Sequence, residues 1–533
     1  MDIRHERGMA LILALFLMMA MSVLGASMMF LSQTETFASS NYRMMSQARY
    51  AAESGMQKAA NFLLDTTQYQ PPGTVATDSL ASYDYTKSPV KYNNADVILS
   101  ANPDVPSNYP VATVKAAFLA AATGTLNTIG AGQAGNIGIT YKASAKLISM
   151  STFDSYGGTT NVIQTWEITG DGSLVNNPKA TVEVVAMVET PKVAANSYAA
   201  FATSDLCGSL LFNGNTQSDS YDSSKLNSSS PPPSSSGFDH YDGDVGTNGN
   251  LNMGGTSDVY GNFYTPRSGV GTCTNNATGA TTALTENAKA TVSGSMVQLP
   301  KSVVYPPPII PAPSTAASAD INGSSGACAL LPITAPATCT TNGDDVILDA
   351  HGTTMSLPTL SIRGKANLVL VAGSNPPGTY DINSITVASQ SNVSVKATSP
   401  SQGVLVNIVG KDATGAVIDP PVDMQGGSFA AIDTCSGCST LCSACSPYDA
   451  SMLQFVYGGT AEIKMAGNSG AAATVYAPNA KVTLVGTSDL YGSVLGKTIE
   501  IKGNMNIHYD RRLQHDFWVA GQPMASTFSW KRY

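Results

Sequence analysis

KVTLVGTSDLYGSV (481–494) stands between two shorter stretches of the same make, AEIKMAGNSG (461–470) and IEIKGNMNI (499–507). Met465, Leu484 and Ile501 fall in one column, and Gly467, Gly486 and Gly503 in another, both at spacings of 19 and 17 residues. A period of about 18 is too short for a propeller blade or a helical hairpin. It suits one coil of a parallel β-solenoid, whose short strands stack apolar residues inward and turn corners on Gly or Asn. An earlier stretch, NLNMGGTSDVYGNF (250–263), echoes the central one, and positions 255–261 match 486–492 at six of seven residues. ANLVLVAG, NSITVASQ, NVSVKATS and GVLVNIVG (366–410) read as further coils at looser spacing. A β-sandwich of repetitive hairpins is the alternative.

The composition agrees with an exported, β-rich chain. Only 12% of the 533 residues are charged, about half the usual share, and Gly, Ser, Thr, Asn and Ala take their place. A net charge of −9 offers no basic field to displace counterions from phosphates, so nucleic acid is not an expected partner. The eight cysteines are an even number, which favours disulfides outside the cytoplasm and metal inside it.

The N-terminus decides the compartment. From Met9 to Thr34 no residue is charged, and 9–31 is almost uniformly apolar. At ~1.5 Å per residue this stretch spans roughly 34 Å, enough to cross a bilayer. It is longer than the ~7–15-residue core of a cleaved secretory signal. A plain anchor with Arg4 and Arg7 on the cytoplasmic side is one reading. Helical periodicity continues, however, through Met44, Ala48, Ala51, Ala52, Met56, Ala59, Ala60 and Leu63. One helix to Asp65 is therefore expected, apolar in its first half and amphipathic in its second.

These residues resemble a known family. A basic stub ending in Arg7-Gly8, then Met9-Ala10-Leu11 and a long apolar helix, is similar to a type IV (class III) prepilin leader. ARYAAESGMQKA (48–59), with Glu53 and Gly55, resembles the A-x-x-A-A-E-[AS]-G segment of PilX-like minor pilins. The resemblance implies cleavage by a prepilin peptidase between Gly8 and Met9, N-methylation of Met9, and retention of the helix. The protein would cross a bacterial inner membrane once and then join other pilins in a pilus at the cell surface. In major pilins the fifth mature residue is a Glu that neutralises the N-terminal amine of the subunit ahead. Here that position is Leu13, which points to a subunit at or near the tip, or to simple tolerance of an apolar residue.

The expected fold is thus α+β: a long N-terminal pilin helix, a pilin-like sheet region, then a mostly-β domain. The expected layout is a leader at 1–8, a helix at 9–65 with 9–31 in the membrane, and a pilin-like α+β region at 66–200. A first β-rich part at 201–304 follows, then a Pro-rich and Cys excursion at 305–345, a second solenoid part at 346–510, and a C-terminal strand at 511–533. GITYKASAKLISM, NVIQTWEITGDGS and KATVEVVAMVETP alternate as strands, ATVKAAFLAAATGTL begins as a helix, and Gly170-Asp171-Gly172 and Asn176-Asn177 read as hairpin turns. SSKLNSSSPPPSSSG (223–237) predicts a mobile loop and YPPPIIPAPSTAAS (305–318) a polyproline spacer. The final strand, with Trp530 and Trp518, is expected on the pilin-like sheet, with a tip-exposed aromatic contact surface as the alternative.

Chemistry-bearing groups are few. Cys435, Cys438, Cys442 and Cys445 form two C-x-x-C pairs only three residues apart, closer than in zinc ribbons. Two local disulfides are the plainer outcome beside a metal site or a redox role. Cys328 with Cys339 and Cys207 with Cys273 are the remaining candidate pairs. DHYDGDVGTNGN (239–250) offers Asp239, Asp242, Asp244, Asn248 and Asn250, but Gly246 breaks the EF-hand pattern, so a solvated Asp-Gly turn is favoured over calcium. No nucleophile elbow, zinc-hydrolase motif or phosphate loop is found. HYDRRLQHD (508–516) is the one charge-rich patch, read as a salt-bridge cap at the solenoid's end. No catalytic residue, metal or cofactor is expected. Three functions stand: a minor pilin with a displayed, adhesive ectodomain, its target unknown; a pseudopilin of a secretion system; and a tethered solenoid enzyme acting on polysaccharide.

Overall fold

The computed structural model describes residues 6–532 except 66–67, 74–77, 128–137, 155–159, 175–176, 227–237, 374–376, 400–401, 431–445, 468–470, 488, 516 and 522–523. The chain forms two compact units, one from 1–152, 162–191 and 522–533, the other from 153–161 and 192–521.

In the first unit, helix α1 runs Glu6–Leu64 with no proline to break it. A short helix, α2 (Ala112–Ala121), leads into the strand Thr123–Asn127. The antiparallel strands Gly138–Asp154, Thr160–Leu174 and Asn177–Glu189 form the sheet, with Ile98–Ser100 at one edge and Met524–Arg532 at the other. Along Asn177–Glu189, Val182, Val184, Ala186 and Val188 are buried at every second position and face α1. On α1 the matching stripe is Ala48, Ala51, Ala52, Met56, Ala59, Phe62 and Leu63, all buried.

Gly170-Asp171-Gly172 is not a turn, as its chemistry suggested, but lies inside the strand Thr160–Leu174. A Cβ on Gly172 would strike the Ala48 carbonyl and approach the Ala52 nitrogen to 2.6 Å, and one on Gly170 would come within 3.0 Å of the Met56 nitrogen. The two glycines let the helix backbone sit directly on the sheet. The hairpin to the next strand closes where Leu174 pairs with Asn177, and its tip at 175–176 lies outside the described residues.

The second unit is a parallel solenoid of three-strand coils, and the sandwich alternative is set aside. The sequence columns are physical columns: Ile463 pairs with Val482, Met465 with Leu484, Leu484 with Ile501. The inward column runs Ile321, Ile362, Val387, Met424, Met465, Leu484, Ile501, Phe212 and Met253, each buried. The glycine column extends as Gly467, Gly486, Gly503, Gly214 and Gly255. At this corner Gly486, Gly503, Gly214 and Gly255 hold φ of 141°, 90°, 131° and 68°, a region that side chains disfavour.

Stack order is not chain order. The coil 200–221 lies inside the stack, with 245–259 on one side and 494–510 on the other. The chain enters there and builds to one end at residue 298. It then crosses to the far end and coils back from 319 to 510, so that its last coil docks on its first. The echo at 255–261 and 486–492 is explained: the two copies occupy the same corner of one stack.

The crossing segment corrects the expectation of an excursion at 305–345. Ala319–Asn322 and Thr338–Asn342 are strands of the solenoid sheet. Residues 303–314 form a strap along one face. Asn248 grips its start, with Val303 N donating to Oδ1 at 2.7 Å and Nδ2 donating to Val303 O at 2.7 Å. Asn383 grips its end at Ser314 in the same way, both bonds at 2.8 Å. Between them Tyr305 is buried and Tyr476 Oη donates to Pro306 O at 2.8 Å. The grips are six coil steps apart, about 29 Å at ~4.8 Å per step. Eleven residues of polyproline rise cover about 34 Å. The proline-rich composition therefore fits the span.

The expected C-terminal strand divides. Trp518–Ala520 pairs with Lys192–Ala194 in the solenoid unit, with Lys192 Nζ 4.9 Å from the Trp518 ring centre. Met524–Arg532, carrying Trp530, joins the first unit's sheet against Asn177–Glu189.

Candidate functional site

Two regions carry the features singled out in the sequence: α1, and the seam where the last coil meets the first. The outer half of α1 touches nothing of its own unit, and Met9 and Leu13 are 72% and 69% exposed. Its most apolar 18-residue window has a mean hydropathy of 2.5, so the helix is long and apolar enough to cross a membrane. Ser22, Ser27, Thr34 and Thr36 each donate to the carbonyl four residues back at 2.8 Å. Their hydroxyls are thereby satisfied without water. Leu13 shares an apolar strip with Met9, Ala10, Ala14 and Leu17.

In the inner half the 48–59 motif is a packing device. Its alanines face the sheet, Gly55 lies under Tyr141 (a Cβ there would be 3.1 Å from the ring), and Glu53 pairs with Arg49 at 3.2 Å on the flank. Phe62, which periodicity alone missed, stacks edge-on against Phe118 of α2 at 5.3 Å.

Cys207 is bonded to Cys273 and Cys328 to Cys339. Cys435, Cys438, Cys442 and Cys445 lie outside the described residues, as does the Ser/Pro loop from 227 to 237. Among the described residues no group of three His, Cys, Asp or Glu is placed to hold a metal. The 239–250 stretch makes turns and coil corners around the strand Val245–Thr247. Asp244 accepts from the Asn262 backbone at 2.6 Å, Asn250 Oδ1 accepts from Gly208 N at 3.2 Å, and Asn248 holds the strap.

HYDRRLQHD is not an end cap, because residues 506–510 form a strand in mid-stack. His508 lies between Asp219, 2.5 Å from its Nδ1, and Asp489, 3.5 Å from its Nε2, so the three residues bridge consecutive coils. The Phe238 ring stacks on the imidazole at 3.8 Å, 6° from parallel. Arg511 reaches Asp239 at 2.6 Å, and Arg512 pairs with Asp449. The Asp510 carboxylate accepts from the backbone N–H of Ser223 at 3.1 Å, Arg512 at 3.2 Å and Ala450 at 3.4 Å. Asp219, Asp449 and Asp510 are buried and each is engaged. The charges pin 219–223, 238–239 and 448–450 to the last coil, which is a structural seam in place of an open carboxylate groove.

Burial pushes the Asp510 carboxyl up to about 7, with the nearby Asp449 charge adding to it. For His508 burial acts to lower the pKa, but the hydrogen bond to Asp219 and the charges of Asp219 and Asp489 outweigh it and raise it. Both raised groups bind protons more tightly folded than unfolded, so stability falls as pH rises. Asp510 contributes this loss from about pH 4 to 7, and His508 contributes it above its ordinary value near 6.5. The urea midpoint is expected to be higher at pH 5 than at pH 8. His508→Gln should flatten the slope above pH 6.5 whatever it does to absolute stability, and an unchanged slope would contradict this assignment.

Comparison with known proteins bears on both ends of the chain. Residues 7–57 match the family described as PilX N-terminal. Residues 440–516, which include the seam strand, match a domain of unknown function. The crystal structure of the competence-associated pilin ComZ from Thermus thermophilus aligns over 92% of this chain and 97% of its own at 13% identity. Its TM-score of 0.23 is too low to define a shared fold. No curated protein matches the chain. The N-terminal segment is thus PilX-like in sequence, in agreement with the motifs at 7–11 and 48–59.

Proposed function

We propose that this chain is a minor pilin of a type IV pilus that carries a β-solenoid as its displayed part. One coincidence supports the reading above all: the PilX-like match at 7–57 falls on a helix exposed and apolar at its start and packed on a sheet at its end. A prepilin peptidase acting in the inner membrane cuts between Gly8 and Met9, Met9 is methylated, and the apolar half of α1 moves from the bilayer into a filament of other pilins. Leu13 in place of an acidic residue favours a position at or near the tip. There the solenoid is presented for adhesion.

The test is N-terminal mass spectrometry of the protein from sheared pili of strains with and without the peptidase. A chain beginning at methylated Met9, and only where the peptidase is present, is expected. An intact residue 1–8 segment in both strains, or absence from pili, would overturn the proposal.

A further inference from the structure

Beside the start of the strap, within the solenoid unit, lies a cleft of about 640 Å³. Its floor is a column of coil corners: Asn248, then Thr203–Leu206, Lys497, Pro478–Asn479 and Thr460. Strand pairing places these corners on five successive coils. At ~4.8 Å per step the cleft is roughly 19 Å long and parallel to the stack axis. Ser302–Tyr305 of the strap form its wall, fixed by the Asn248 grip. The corners are held too, since Thr203 Oγ1 donates to Pro478 O at 2.8 Å and Asn479 Nδ2 to Gly458 O at 3.1 Å. A volume of this size suits a ligand, and rigid walls lower the entropy lost on binding one.

The chemistry of the lining selects the ligand class. The strands beneath are paired on both sides, so no free backbone edge exists to add a peptide strand. Recognition falls to side chains: the Thr460 hydroxyl, the Asn479 Oδ1 and the Ser204 hydroxyl, which also accepts from Leu206 N, beside the exposed apolar faces of Leu206 and Val304, on which the C–H face of a sugar ring can pack. Asp205 is already opposed by Arg267 at 3.7 Å. Among the described residues no carboxylate lies within ion-pair reach of the exposed Lys497 ammonium. An elongated cleft that mixes hydroxyl-binding groups with apolar faces around one uncompensated cation fits a linear, hydroxyl-rich chain bearing carboxylates. We propose that this cleft binds a stretch of acidic glycan, about four sugar units long, with a uronate carboxylate on Lys497. The proposal gives a ligand class to the adhesive role suggested above, on which it rests, but the binding itself requires no filament.

The full-length chain in detergent is titrated with tetragalacturonate, tetramannuronate and neutral cellotetraose, with thermal melting as the check on folding. At least one acidic tetrasaccharide is expected to bind more tightly than cellotetraose. Lys497→Gln should weaken it about tenfold or more, as loss of a charged hydrogen bond does. Thr460→Trp, which fills the cleft, should abolish binding, and Lys502→Gln on the same coil should leave it unchanged. Binding by neither acidic probe, or binding indifferent to Thr460→Trp or Lys497→Gln in a folded chain, would overturn the proposal. So would equal competition by an unrelated polar peptide. Because the chain is purified free of pili, failure here leaves the N-terminal processing result intact, and the reverse holds.

Discussion

Gly172→Ala is expected to destabilise the first unit by about 3 kcal/mol or more. Overpacking a core usually costs about 1–3 kcal/mol, and the lower values belong to sites where a side chain can swing away. At residue 172 the added methyl meets the main chain of α1, at the Ala48 carbonyl and the Ala52 nitrogen. The helix must then rise from the sheet along the Ala48, Ala52 and Met56 stripe. Urea denaturation should show the loss, and trypsin should cut faster at Arg43 and Arg49. Gly55→Ala is the contrast, because the methyl there meets a tyrosine ring at 3.1 Å and gains helix propensity of about 1 kcal/mol. A Gly172→Ala variant within 1 kcal/mol of the parent would mean that helix and sheet are not in this contact.

Arg512→Ala is the second large effect, expected at about 3–5 kcal/mol in the solenoid unit. Removing the cation leaves a buried carboxylate without its counter-charge: Asp449 is 1% exposed and keeps neutral donors such as Ser451 N and Oγ, while Arg512 is 27% exposed. The same substitution at Arg363, whose pair with Asp320 is 52% exposed on both sides, should leave the midpoint nearly unchanged, because solvent screens a surface pair. Both are read as shifts in urea midpoint at pH 7 and low salt. Equal effects would show that burial does not set the worth of these pairs.

How far the fold is legible depends on whether a signal is local or relational. Met465, Leu484 and Ile501 repeat within 40 residues, so the stacking of their coils is written in the chain. Nothing near Leu210 says that its neighbour is Ile499, because an inward apolar residue pairs equally well with any other coil of matching width. The same holds for Ala319–Asn322, a strand with no repeated partner beside it in sequence. The turn chemistry of Gly170-Asp171-Gly172 is local, whereas its role is set by a helix more than 100 residues earlier. At the candidate sites, Arg7-Gly8-Met9 and the 48–59 motif are contiguous and could be read. The charged run 508–516 was visible as a cluster, but its partners Asp219, Asp239 and Asp449 come from distant coils, so its place in mid-stack was hidden. The cleft beside the strap had no sequence signal, being made from single residues of five corners.

The interior position of the coil 200–221 has a consequence for how the chain is made. A solenoid that grows in chain order offers one open edge, which each new coil covers as it emerges. Here the first coil is paired on one side early, by 245–259, and on the other only when 494–510 arrives, as the bond from Gln217 to Asn506 across 289 residues shows. Until then that edge presents unpaired N–H and C=O groups, a template for another chain. The far half of the stack meanwhile forms with no fixed end to grow from. Closure of that side therefore needs nearly the whole polypeptide, and contacts so distant in sequence form slowly. A chain shortened before residue 494 would keep that edge open, because the strands that cover it lie at 494–510.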